Sequence, residues 1–399
     1  MNQFRQDFPI FSHHPDLVFL DSTSSSQKPS YVIDALTKYL QTWYSNIHRG
    51  LYDIAIESEK MYFDSKKIIA KHLGWVDFKE IIYTYNSNYA LNIISQTLKH
   101  NQILQSWDRV LVSIVEHHSN IVPWLILKEE IWIEVEFVKI TDNFDLDFED
   151  FEKKYTSNTK VIALTHISNV TGQIFDLEKV GSLKRPETLF VVDASQSIPH
   201  MQVDVKKLNC DFLFFTGHKI FAEAWIWVWW WKKEILETLK PIFSWGWAIN
   251  EVKESCFKSG ALPFRFEPGT PNVNGALSLL KAFDYIENIG WFEKVEEVEK
   301  SLVEYTLEKF QKFPQIHLIG SKKSDTRVGV FSFYIDGVHA LDIADMMAEN
   351  NICIRAGQHC TEPFMDSLWI KASARMSLYI YNTFEDIDKF FEVLEENFL

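Results

Sequence analysis

Between residues 81 and 217 the chain alternates short β-branched and aromatic runs with longer segments of helical period, and this alternation constrains the fold more than any other feature. The runs are IIYTY (81–85), RVLVSI (109–114), EVEFVKI (134–140), KVIALTHI (160–167), LFVVDAS (189–195) and FLFFTG (212–217). Apolar strands separated by helical lengths predict β/α units that form a mostly parallel sheet. After Pro29 a helix is expected with Val32, Leu36, Tyr39, Leu40 and Trp43 on one face. Beyond about residue 275 the pattern turns helix-rich. ALSLLKAFDYIENI forms one amphipathic segment and EDIDKFFEVLEENFL another, with Ile387, Phe390, Phe391, Leu394 and Phe398 on its apolar face. Between them VGVFSFYI (328–335) and ICIRAG (352–357) read as strands. A length of 399 residues suggests two domains. The expected organisation is an N-terminal arm at 1–20 that packs with the small domain, a large α/β domain at 21–268, and a smaller α+β domain at 269–399.

Composition narrows the partners. A formal net charge of −15 disfavours nucleic acid and anionic membranes, which reward clustered Lys and Arg. The N-terminal MNQFRQDFPIF lacks a basic region leading into an apolar run of signal-peptide length, so secretion is not expected. Four cysteines, at 210, 256, 353 and 360, are too few and too scattered for a disulfide framework, which points to a reduced, cytoplasmic protein. A small-molecule or protein partner remains.

In open α/β sheets ligands bind beyond the carboxyl ends of the strands. Here those ends carry NSN (86–88), VEHHSN (115–120), SNVTG (168–172), Gln196, and His218 with Lys219. Asp193 closes an apolar strand, where it either caps a turn or pairs with a buried charge, or else partners a protonated pyridine nitrogen as in pyridoxal phosphate enzymes. Lys219 is either a solvated surface lysine or, with Asp193 one strand earlier, a Schiff-base lysine. Thr216 and His218 could hold a phosphate, and Ser87 and Asn88 at a helix N-terminus could add amide donors. His117 fits stacking on a planar cofactor better than metal binding, because adjacent histidines diverge and no ligand set accompanies them. Cys210 and Cys353 read as small buried hydrophobes, whereas Cys360, in a polar loop near Arg355 and His359, reads as a reactive thiol. Arg375 forks onto a substrate carboxylate or makes a surface ion pair.

The strings SQKP (26–29), HRG (48–50), EHHSNIVPW (116–124), THISNVTG (165–172), GHK (217–219), RFEPGTPN (265–272), RAGQHC (355–360) and YNT (381–383) resemble the group II cysteine desulfurases. These are class V aminotransferase-like, fold type I enzymes dependent on pyridoxal 5'-phosphate (PLP). The resemblance implies that the large domain binds PLP, with Lys219 as the carrier lysine and Asp193 on the pyridine nitrogen. It further implies that Gln196 and Asn169 touch the cofactor hydroxyl or substrate, and that His117 stacks on the ring. Thr216, His218, Ser87, Asn88 and Thr270 of the other subunit of a homodimer would bind phosphate. Arg375, with Arg355 nearby, would hold the substrate carboxylate. Cys360 would accept sulfur from L-cysteine as a persulfide, leaving alanine, and pass it to an acceptor protein of iron-sulfur cluster assembly. No metal is implied. The alternatives are a selenocysteine lyase or another class V lyase or aminotransferase, and a non-catalytic scaffold of the same fold. The chain departs from the family at Asn86, Ser87, Asn88 and Tyr89, where a GTT-type turn and an acid are usual, at DSTSS near residue 21, and at Gln358.

One compositional anomaly concerns AWIWVWWWKK (224–233). Gly numbers 14, about half the ordinary share of ~7%, and Trp also numbers 14. Against the family pattern, Trp225, Trp227, Trp231, Trp245, Trp247, Trp107, Trp132 and Trp369 fall where glycine is expected, whereas Trp124 and Trp43 fit as Trp. Glycine turns need positive φ or close backbone approach, which Trp fits badly. Most of these residues are therefore expected to be glycine in the cell, through UGA codons read there as Gly.

Overall fold

The structure, a computed structural model, describes residues 3–85, 87–244 and 246–398. Its centre is a seven-stranded sheet built from β1 (Ile81–Thr84), β2 (Arg109–Ser113), β3 (Glu134–Val138), β4 (Thr159–Thr165), β5 (Leu189–Asp193), β6 (Phe212–Thr216) and β7 (Trp227–Trp231). The strand order is β1-β7-β6-β5-β4-β2-β3. Only β7 runs antiparallel to its neighbours; the β6-β5-β4-β2-β3 pairings are all parallel. Alternate residues along each strand serve two cores. Ile81, Leu111 and Ile162 face one, and Ile82, Val110, Val112, Val161 and Ala163 face the other. This two-sided burial is why the strands read as continuous apolar runs rather than alternating ones.

On one face lie α1 (Ser30–Thr42) and α2 (Asp53–His72); on the other lie α3 (Ser87–His100) and α4 (Val122–Ile131). Val32 and Tyr39 of α1 are buried as expected, but Leu40, placed on the same face by its spacing, is 53% exposed. In α4, Pro123 occupies the first turn, where a missing N–H costs nothing. Past the expected domain boundary, α5 (Val273–Asn288) packs on α1 and α2. It is followed by α6 (Trp291–Lys312).

A second, four-stranded antiparallel sheet contains β8 (Ile316–Ile319), β9 (Val330–Ile335), β10 (Arg355–Gly357) and β11 (Ser373–Ser377), ordered β8-β9-β11-β10. The run ICIRAG is split: Ile352 and Cys353 pair with Val18 and Phe19 of the N-terminal arm, and only Arg355–Gly357 joins the sheet. Helices α7 (Ala340–Glu349), α8 (Glu362–Ser367) and α9 (Phe384–Phe398) complete the C-terminal part. In α9, Ile387, Phe390, Phe391 and Leu394 are buried. The arm also reaches α9, where Arg5 pairs with Asp386 at 2.9 Å. Among the described residues no helix is long and apolar enough to cross a membrane.

The tryptophans divide. Trp107, Trp132, Trp225 and Trp369 have φ of 72°, 63°, 65° and 59°, in the left-handed region that favours glycine. Trp227 and Trp231 are not in turns: both lie in the extended β7, buried in the core. Trp229 and Trp231 stack at 5.5 Å, and their indole Nε1 atoms are buried with no hydrogen-bond partner among the described residues. Trp245 lies outside the described residues, as does the side chain of Trp247.

Candidate active site

The carboxyl ends of β2, β4, β5 and β6 open into a cavity of ≈ 530 Å³, closed from the other side by the loop that follows β10. Its lining includes Lys219, Asp193, His117, Cys360, Arg375 and Arg355, together with Asn169, Gln196 and His218. Nine of the expected site residues thus meet, although they span positions 117 to 375 of the chain.

Asp193 ends β5 and is buried, with its Oδ1 accepting the Ser195 N–H at 2.8 Å. Burial raises its pKa above the ordinary aspartate value, while Lys219 opposes the rise. Lys219 follows β6 through a single turn that starts at Gly217. A Cβ on Gly217 would come within 2.7 Å of Ile226 Cγ2 and 3.0 Å of Ile226 O, so the turn passes too close to its neighbour for a side chain. Burial pulls the Lys219 ammonium down to about 8, partly offset by Asp193. Loss of hydration disfavours the charged form of both groups, which leaves the amine accessible as a nucleophile near neutral pH.

His117 leads the short turn His118–Asn120, and its Nδ1 contacts Ser119 Oγ at 2.8 Å. Burial, and then the charge on Lys219, depress it to about 3, so the ring is neutral. Directly before it, Glu116 is fully buried and accepts from Ser113 Oγ, from Asn120 Nδ2 at 2.7 Å and from the Thr165 N–H at 3.0 Å. Glu116 thereby ties the end of β2 to that of β4. Its sequence neighbours gave no reason to assign it a role.

Arg375 is buried in β11, and its Nη1 donates to Asn169 O at 3.0 Å. Asp21, in the DSTSS string, bridges the two arginines. It lies 2.9 Å from Arg355 Nη2 and 3.4 Å from Arg375 Nη2. Gln196 is fixed by donating to Thr23 O at 3.1 Å. Among the described residues, the buried Arg375 Nε and Thr23 Oγ1 on the cavity wall lack hydrogen-bond partners. Buried donors left open in a polar cavity are unusual, and they suit an anionic ligand.

Cys360 is exposed at the cavity mouth, and both it and His359 adopt left-handed backbone, with φ of 58° and 54°. Such a conformation costs a non-glycine residue about 1–2 kcal/mol, so the loop needs anchors. Asn169 Nδ2 donates to His359 O at 2.8 Å, and the His118 N–H donates to Cys360 O at 2.8 Å. Cys210 is buried, as expected, but Cys353 is only half-buried.

Among the described residues, two expected phosphate contacts, Thr216 and Thr270, are not on the wall of this cavity. Thr216 is buried at the end of β6, and its Oγ1 has no partner among the described residues. Ser87 and Asn88 open α3, but their side chains lie outside the described residues. Thr270 lines a separate cavity with Thr84, Tyr85 and Tyr89. His218 does reach the Lys219 cavity, with its ring 6.1 Å from that of Trp227.

The model of the aminotransferase class-V family matches residues 18–390. A probable cysteine desulfurase of Pyrococcus abyssi is 36% identical over 394 residues, covering 98% of this chain and 96% of that protein. A second probable cysteine desulfurase, from Synechocystis, is 36% identical with 98% and 94% covered. The apo structure of a cysteine desulfurase from Thermococcus onnurineus superposes with a TM-score of 0.93 at 34% identity, covering 98% of this chain and 96% of that one. The Escherichia coli cysteine desulfurase CsdA, solved in an S-sulfonic acid form, gives 0.90 at 28% identity, with 99% and 97% covered.

Proposed function

The chain belongs to the aminotransferase class-V family, and on that premise we propose that it is a PLP-dependent cysteine desulfurase that takes sulfur from L-cysteine as a persulfide on Cys360. The observation that carries this reading is the convergence of Lys219, Asp193, His117, Arg375 and Cys360 on one cavity. The lysine supplies a Schiff-base amine, the buried carboxylate suits a pyridinium, and the open donors at Arg375 and Thr23 suit anionic groups, so the residues present fit PLP. When bound, PLP supplies an electron-withdrawing ring that stabilises negative charge developing at the substrate α-carbon.

This chain's own residues do the rest. Asp193 would hold positive charge on the pyridine nitrogen. The neutral His117 would stack on the ring, and His218 would help to hold the phosphate. Arg375 binds the substrate carboxylate and, with Asn169 and Gln196, fixes which bond of the substrate is oriented for reaction. Lys219, once free, has the lowered pKa required of a base that removes the α-proton and later returns one. The Cys360 thiolate attacks the substrate sulfur: a sulfur–sulfur bond forms, the carbon–sulfur bond breaks, and protonation of the departing carbon skeleton yields alanine. Cys360 at the cavity mouth leaves the persulfide open to an acceptor protein of iron-sulfur cluster assembly. A homodimer would bring Thr270 of one subunit to the phosphate of the other, which accounts for its place outside its own Lys219 cavity. The large domain at 21–268 then binds the cofactor, and the part at 269–399 contributes Cys360 and Arg375.

The test is alanine release from L-cysteine by the purified, PLP-loaded protein, run beside selenocysteine. Activity that survives undiminished in Cys360→Ala would reject the persulfide mechanism, and a preference for selenocysteine would reassign the substrate.

A further inference from the structure

We propose that His118 is a positioning residue for the Cys360 thiol, acting as a two-point clamp on the loop that carries it. The inference rests on the reading of Cys360 as sulfur acceptor. Two histidines stand side by side in EHHSN, and only His117 has a role at the ring. His118 turns the other way. Its backbone N–H donates to Cys360 O at 2.8 Å, and its Nε2 accepts the N–H of Glu362 at 3.0 Å. The two grips fall on either side of Thr361, which is fully buried. Glu362 is the first residue of α8, so its amide has no partner within the helix and needs an outside acceptor. The carboxylate of Glu362 also lies 3.8 Å from the same Nε2. One ring nitrogen cannot accept an amide proton and donate to a carboxylate together, and the shorter contact makes Nε2 the acceptor of the Glu362 N–H.

The geometry couples two functional groups. The turn that presents His117 to the cavity also holds the segment 360–362 through the adjacent residue. Cys360 and its neighbour His359 sit in left-handed backbone that the chain would leave if unrestrained. Asn169 holds the His359 side of this segment, and His118 holds the other.

His118→Ala removes the ring acceptor but keeps the backbone bond. His118→Gln restores an acceptor oxygen near the position of Nε2. The side chain is 32% exposed, so neither change opens the core. In the PLP-loaded protein, His118→Ala is expected to speed amide exchange across 360–363 and to slow single-turnover persulfide formation about tenfold or more, with the spectral affinity for L-cysteine unchanged within about twofold. His118→Gln is expected to recover most of both. Unchanged exchange in His118→Ala, or persulfide formation within about twofold of the parent, overturns the clamp. A loss of cysteine affinity that His118→Gln does not repair also overturns it. A parent protein that makes neither persulfide nor alanine refutes the desulfurase reading, and the exchange measurement then still decides the clamp.

A separate observation concerns Trp75, Trp107, Trp132, Trp225 and Trp369. All five have φ between 57° and 72°. Their side chains are 64–93% exposed, so they gain little from burial. Among the described residues, six of the fourteen non-glycine residues with positive φ are Trp. The sixth, Trp291, stacks on His72 at 4.5 Å and has a packing role. A bulky side chain in strained backbone that buries almost nothing is the reverse of what tryptophan is used for. We infer that these five positions are glycine in the natural chain. Trp75 was not singled out by any sequence pattern; its geometry alone places it in the group. Peptide mass spectrometry of the protein from its source cell is expected to find Gly at all five, encoded by UGA. Tryptophan at these positions, or UGG codons, overturns the inference.

Discussion

Replacing Glu116 with glutamine should change how stability depends on pH in a way that can be worked out from its surroundings. The carboxyl is fully buried and accepts from Ser113, Asn120 and Thr165. Burial is the larger influence and pushes its pKa from 4.5 up to about 7, against the lowering effect of those three donors. A carboxyl whose folded value lies above its unfolded value stabilises the fold fully below the unfolded pKa and loses that contribution as pH rises through the folded one. The interval from 4.5 to about 7 corresponds to about 3 kcal/mol at ~1.36 kcal/mol per unit. Glutamine does not titrate. The stability of Glu116→Gln relative to the parent should therefore improve by about 3 kcal/mol between pH 4.5 and pH 8. A constant offset is also expected, because the new amide must face Asn120, which has to turn its own amide to answer it. Urea unfolding of both cofactor-free proteins at several pH values separates the slope from the offset. Parallel stability curves for the two proteins would refute the reasoning and place the Glu116 pKa in the ordinary range.

Lys219 in the cofactor-free protein should react with an amine-directed acylating reagent with a midpoint near pH 8, because its folded pKa is lowered to about 8 from 10.5, and a midpoint near 10.5 would remove the buried-amine account. Arg375→Lys should raise KM for L-cysteine about tenfold to a hundredfold with a smaller change in kcat, since a point charge replaces a fork; an unchanged KM would place the carboxylate elsewhere. Gly217→Ala, which brings a Cβ to 2.7 Å from Ile226 Cγ2, should destabilise the protein by about 1–3 kcal/mol in thermal unfolding and weaken PLP loading, and a neutral result would show that the Lys219 turn has room to spare.

The sequence alone determined the sheet and the rim on which the site is built. Strands buried on both faces write themselves as unbroken apolar runs, and the residue that ends such a run is fixed in space to within a turn, so Asp193 and Lys219 were legible as neighbours on adjacent strands. The short motif strings carried Cys360 as well, whereas Arg375 lies in none of them and was open to a fork on a carboxylate or a surface ion pair. What the sequence could not state is how segments hundreds of residues apart close on one another. Asp21 meets Arg355 and Arg375 only because the loop at 21 returns to the C-terminal sheet, and nothing in DSTSS marks an arginine partner. The work of Glu116 and His118 was likewise invisible, because each acts through backbone groups of distant residues, and a backbone amide carries no residue-type signal. The tryptophans show both limits. Family pattern singled out Trp107, Trp132, Trp225 and Trp369 from the sequence, but it took backbone dihedrals to add Trp75 and to set Trp227 and Trp231 apart in an extended strand. Residue type and period report local structure; φ at a turn and contacts across the cavity are settled only when the whole chain has packed.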